Sequence, residues 1–248
     1  MAPKRSRRIV GGICLMVLSL CVIGPVRTIT VSEDGSREFD NIQAGIDAAV
    51  DGDTVLVYAG LYRGEGRRDL DFQGKAIVVR SLDPNDWNVV ADTIIDCQGS
   101  ESQPHRGFHF HSGERPDSVV EGLTITGGHA ESYGGAIFCE AGSGPTISKC
   151  IIADNTCGIA PTGRAIHPPG FGAGIACVDR SDATISHCII SSNFNFSLRY
   201  ESAGGGVYCD VSAPLISDCI VAGNQARSGG GVVAGARANV TVRNCIIR

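Results

Sequence analysis

GGGVYCDVSAPLISDCIVAGN, from Gly204 to Asn224, decides the fold. It opens on three glycines, alternates around Cys209, breaks at Ala213-Pro214, alternates again around Cys219 and stops on an asparagine. The same phrase occurs as GGAIFCEAGSGPTISKCIIADN (Gly134 to Asn155) and as GAGIACVDRSDATISHCIISSN (Gly172 to Asn193). A fourth copy begins at GGGVVAGARANVTVRNCIIR, from Gly229. Repeats that carry two or more short alternating strands and no helical pattern predict a parallel β-helix, in which each copy is one coil of a solenoid. A leucine-rich repeat has a similar apolar-and-Asn spacing but needs a helix or extended return after the Asn, where this chain has Gly-Gly-Gly-Val-Tyr-Cys.

Stacking the copies produces columns. Cys139, Cys177 and Cys209 form one, and Cys150, Cys188, Cys219 and Cys245 another. An earlier degenerate copy, SVVEGLTITGG, sets Gly122 in the second column. Equivalent residues in adjacent coils lie about 4.8 Å apart, so small apolar thiols stack well in a narrow core. That separation is wider than the roughly 3.8 Å between Cβ atoms that a disulfide prefers, so the columns read as buried thiols. Asn155, Asn193 and Asn224 form a third column, read as an amide ladder. The outward positions Lys149, His187, Asp218 and Arg243 read as a mixed-charge column of ordinary surface. No Cys-x-x-Cys occurs, and no metal or cofactor is expected; a calcium nonapeptide is absent too.

Ahead of the repeats, FDNIQAGIDAAVDGD places Asp40 three residues before Gln43, with Ile42, Ile46 and Ala49 on one face. This predicts a capping helix over 40–51 that closes the apolar end of the rod. Strands over DTVLVYAGLY and KAIVVRS follow, giving about six coils and a rod of roughly 30 Å. The segment TITVSEDGSREFDNIQAGIDAAVDGDTVLVYAGLYRG resembles the cap and first coil of pectin-lyase-like, right-handed β-helix proteins. The later GGAI and Ile-x-x-Asn units are similar to repeats of chlamydial polymorphic membrane proteins, with Ile or Val replacing their Phe. The resemblance spans residues 28–248 and implies an all-β, right-handed parallel β-helix. It also implies adhesin-like scaffolds or carbohydrate-active enzymes as the functional classes.

Residues 1–27 carry Lys4, Arg5, Arg7 and Arg8 before an apolar run from Ile9 to Ile23, the layout of a signal peptide or N-terminal anchor. Export to the periplasm, cell surface or medium is therefore expected, with membrane contact only through an uncleaved anchor. The remaining chain holds 16 basic and 26 acidic residues, which argues against nucleic acid as a partner. The chain stops inside a coil at Arg248, so an incomplete last coil and end-to-end association there are also expected.

Spacing between second-column cysteines shrinks from 38 to 31 to 26 residues, and the extra length falls at one corner. The inserts 156–171 and 194–203 therefore emerge on one side of the rod, the expected binding side. They carry Arg164, His167, Phe194, Phe196 and Tyr200 as candidate ligand-binding residues, with flat rings suited to sugars. Beside that corner, aligning GFHFH with AIFCE points His109 and His111 outward. His111 is then expected against Glu140, His109 against Phe138, and Asp210 two coils further on. A His–carboxylate pair suits a general base, so His109, His111 and Glu140 are the catalytic candidates, and Asp210 joins the ligand-binding candidates. The Asn-Thr-Asp, Gly-His-Gly, Gln-Asp-Thr-Leu and Trp-x-Asp-His motifs of enzymes on this fold are absent. The leading expectation is a secreted or cell-surface scaffold that binds glycans; the alternative is a polysaccharide lyase or glycoside hydrolase.

Overall fold

A computed structural model describes residues 25–159, 169–196 and 202–248. Every paired strand in it is parallel to its neighbour, and the chain winds so that consecutive strands fall on different faces of one rod. The first face has eight strands, from Thr28–Val31 to Thr241–Arg243. The second has seven, from Gly60–Arg63 to Ile246–Ile247, and the third has five, from Phe108–Phe110 to Val232–Ala234. A short ladder of three, His129–Ala130, Thr156–Cys157 and Phe194–Asn195, lies between the second and third faces. The rod is longer than six coils because Thr28–Val31 and the strand after Val240 each extend the first face.

Corners are made by single residues in the left-handed region. Between the first and second faces these are Gly122, Lys149, His187, Asp218 and Asn244, with φ of 69°, 53°, 55°, 56° and 51°. The mixed-charge column therefore ends at Asn244. Arg243 pairs in register with Ser217 on the preceding strand, one residue before the corner. The same register moves Gly122 out of the cysteine column: Val120 faces Ile147, so Leu123, fully buried, stands where Cys150 does. Glycine is required for another reason at Gly135, where a Cβ would lie 2.2 Å from the Thr156 carbonyl oxygen and 2.4 Å from that of Ala173.

Alternation puts one side chain of each triplet inside on the first and second faces, giving an interior of stacked Ile, Val and Cys. On the third face Cys139, Cys177 and Cys209 are in direct register. Cys150, Cys188 and Cys219 are buried and Cys245 is half-buried, all as free thiols. Each second-column Sγ lies against a carbonyl two residues back, such as Cys219 to Ser217 at 3.1 Å. Asn155 Nδ2 donates to Asn193 Oδ1 at 3.0 Å, and Asn193 Nδ2 to Asn224 Oδ1 at 2.9 Å.

The cap helix is shorter than 40–51. It runs over Ile42–Ala48, because the Asn41 side chain takes the N-cap by accepting from Ala44 N at 2.8 Å. Gln43 does not close a capping box with Asp40; its amide reaches across to the Asp71 backbone instead. Ile42 and Ile46 join the main core, and a Cβ on Gly45 would meet Val31 and Val55 at 2.9 Å, so the helix sits hard on the first-face strands.

Candidate functional site

The outer side of the third face divides into two regions. Over its later strands it is not solvated, as alternation alone would have it. Phe138 and Tyr208 point outward yet are only 8% and 9% exposed, because the segments leading into each glycine pair fold back over them. Tyr133, Phe171, Ala203 and Ser228 form a bridge ladder there, and Phe171, Ala203 and Tyr208 make a small second core outside the rod. Over the first strands the face stays open, and that is where the histidines lie.

HRGFHFH, residues 105–111, builds the open region. Phe108 and Phe110 are fully buried, packed with Phe72, which fixes the intervening His109 outward. His109 pairs in register with Phe138, and their rings stack at 5.1 Å. His109 Nε2 lies 2.8 Å from Glu140 Oε1. The expectation gave Glu140 to His111; instead the Glu140 side chain leans back toward His109. His111 lies 3.4 Å from Asp71 Oδ2, with its ring 4.4 Å from that of His109. His105 Nδ1 lies 2.6 Å from Asp69 Oδ2. Three imidazoles of residues 105–111 thus each lie against a carboxylate.

Asp69, Asp71 and His105 were missed by the sequence reading, although a signal existed. Leu70 bridges to Phe108 and is buried with Phe72, so the run Asp-Leu-Asp-Phe alternates in the same register as Gly-Phe-His-Phe. The outward carboxylates line a cleft of about 480 Å³ together with Gln43, Asp47 and Arg68.

Burial pushes the His109 imidazole below its ordinary value, partly opposed by the hydrogen bond to Glu140, and nearby Arg106 and His111 push it lower still. A neutral His109 that donates from Nε2 to Glu140 leaves Nδ1 as a free acceptor. Among the described residues no three His, Cys, Asp or Glu side chains converge to hold a metal ion.

The remaining candidates lie elsewhere. Asp210 is two strands beyond Glu140 with Val178 between, and its Oδ1 accepts from the Arg237 backbone at 3.4 Å. Phe194, on the short ladder, and Phe196, just after it, are 36% and 39% exposed and packed edge to face at 4.6 Å. Arg164, His167 and Tyr200 fall outside the described residues, as do residues 1–24 of the leader. No described helix is long and apolar enough to cross a membrane.

The family model for the right handed beta helix region matches residues 87–248, well over half of the chain. The chain belongs to that family. The hand of the rod follows, and the fold is an all-β, right-handed parallel β-helix with a minor helical cap. No curated protein and no solved structure gives a match. β-helices of this kind serve as adhesins and as carbohydrate-active enzymes, so the family leaves the choice to the site.

Proposed function

We propose that this chain is an exported β-helix scaffold that binds a polysaccharide or cell-surface glycan along the open part of its third face. The observation that carries the reading is the row of His105–Asp69, His109–Glu140 and His111–Asp71 pairs on the open part of the third face, with Asp69, Asp71 and His105 lining a cleft there. Such a row offers alternating donors and acceptors to sugar hydroxyls. The His109 and Tyr133 rings, each stacked on the buried Phe138 ring, add apolar surface beside it. Export rests on the basic and apolar pattern of residues 1–27. The test is retention of the protein on a panel of immobilised polysaccharides. At least one polymer should retain it, with at least tenfold weaker retention for His109→Ala and Asp71→Ala. Absence of retention on every polymer, or retention indifferent to both substitutions, would overturn the reading.

A second reading, a carbohydrate-active enzyme, is favoured by one observation. His109 is half-buried, oriented by Glu140 at 2.8 Å, and has a free Nδ1, which suits a general base. Release of reducing ends or of unsaturated uronates from any polymer in the panel, abolished by His109→Ala and Glu140→Ala, would establish it. Retention without release leaves the scaffold.

A further inference from the structure

Arg106 is held in place by its backbone and left open at its head. Its N–H donates to Asp69 Oδ1 at 2.8 Å, and its carbonyl accepts from Asp69 N at 2.6 Å. The guanidinium lies over Phe138, with Cζ 5.1 Å from the ring centroid. No hydrogen bond or ion pair among the described residues reaches that guanidinium, and Nη1 is buried without a partner. The two carboxylates that act most on it are engaged elsewhere, Asp69 with His105 and the Arg106 backbone, Glu140 with His109, while Glu131 lines the same cleft. Burial acts to lower the guanidinium's pKa, but arginine does not give up its proton in proteins, so a cation stands there with open donors. Leaving a buried charged donor unpaired costs more than leaving a neutral one, and an acceptor at the guanidinium offsets that cost.

The space in front of it is suited to such an acceptor. A cleft of about 300 Å³ is lined by Pro104, Arg106, Glu131, Ser132, Tyr133 and Phe138. The Tyr133 ring stacks on the buried Phe138 ring, 9° apart with centroids at 5.6 Å, so Tyr133 supplies the aromatic contact beside the guanidinium. We infer that Arg106 and Tyr133 form a subsite for an anionic substituent, a carboxylate or a sulfate ester, on the glycan bound along the third face. This rests on the glycan reading above. The guanidinium fork grips the oxyanion through two N–H groups, the Tyr133 ring borders the sugar that carries it, and Ser132 and Glu131 face its hydroxyls.

The test compares dextran, carboxymethyl dextran and dextran sulfate as ligands for the wild type, Arg106→Gln and Arg106→Lys, with melting temperatures to confirm that each variant folds. Residues 28–248 are net acidic, so unspecific attraction to polyanions works against the expected result. One of the two anionic polymers should bind at least tenfold tighter than dextran. Arg106→Gln should fall to the dextran level, with Arg106→Lys in between because it keeps the charge and loses the fork. Which polymer responds identifies the substituent. Dextran binding without an anionic preference, or a preference that survives in Arg106→Gln, overturns the subsite and leaves the glycan reading standing. If no polymer binds, the Arg106 Nε–Hε resonance is followed while inorganic sulfate or acetate is added. A saturable shift upholds the anion site while the glycan reading fails, and no shift with either ion overturns the site.

Discussion

Replacing Asn193 with Ala tests the amide ladder. Asn193 is 1% exposed, and its side chain makes four bonds. Oδ1 accepts from Asn155 N at 3.1 Å and from Asn155 Nδ2 at 3.0 Å. Nδ2 donates to the Ile152 carbonyl at 2.9 Å and to Asn224 Oδ1 at 2.9 Å. After truncation Asn155 Nδ2 keeps its bonds to Ile125 and Ala153, and Asn224 Oδ1 keeps the Asn193 N–H. The Asn155 N–H keeps nothing. One orphaned buried donor costs about 2 kcal/mol and the other lost bonds add about 1, for a total of about 3 kcal/mol. For a domain of this size that corresponds to a fall in Tm of about 6–12 °C. Thermal unfolding followed by circular dichroism reads it, and hydrogen exchange should show the loss centred on residues 152–155 and 190–193, because repeat contacts are local. Asn193→Asp gives a second handle. The carboxylate keeps the acceptor for Asn155 but faces two other acceptors, so its folded pKa rises above the unfolded value. Its stability relative to wild type is then highest at pH 4 and is lost as pH rises toward 7. A Tm drop below 2 °C for Asn193→Ala, or a pH-independent deficit for Asn193→Asp, would refute the ladder's role.

Three further outcomes are expected. Gly135→Ala, which drives a methyl into two carbonyl oxygens, should prevent folding or lower Tm by more than 10 °C, whereas Gly142→Ala, at φ 74° with nothing within 4 Å, should cost only about 1 kcal/mol; parallel melts decide between them. Of the nine thiols from Cys97 to Cys245, half-buried Cys245 should react first with a maleimide in the native state, while Cys157, its thiol pushed up to about 12 by burial, should stay silent until unfolding; peptide mass mapping reports the order. His129 is 3% exposed, its Nε2 has no partner, and burial lowers its pKa below the usual 6.5, so the unfolded state takes up the proton first on acidification. Stability therefore falls as pH drops from about 7 to 5, and urea titrations of His129→Asn should show a shallower fall.

The repeat was legible because its constraints are local and recur. Each corner needs a left-handed residue, each interior slot a small apolar one, and the Asn ladder copies itself from coil to coil, so columns appear once the copies are aligned. Single-residue errors entered at the edges of the repeat, where Gly122 and Arg243 were each placed one position off by aligning residue types rather than strand register. The site was legible only in part. His109 and Glu140 followed from strand alternation, but which histidine Glu140 touches is a matter of side-chain rotamer, which no spacing encodes. Asp69 and Asp71 belong to a coil without the repeat signature, and Arg106 stands out only because it lacks a partner, a property visible once all its neighbours are placed.

The hydrogen bonds between coils all run along the axis of the rod, so its two ends are joined mechanically through successive layers of parallel ladders. A pull from end to end stretches those bonds along their length instead of shearing strands past one another. Within one layer the faces share the load, while the layers themselves bear it in series. Resistance to traction is therefore set by the weakest gap between neighbouring coils, and lengthening the rod adds reach without adding strength.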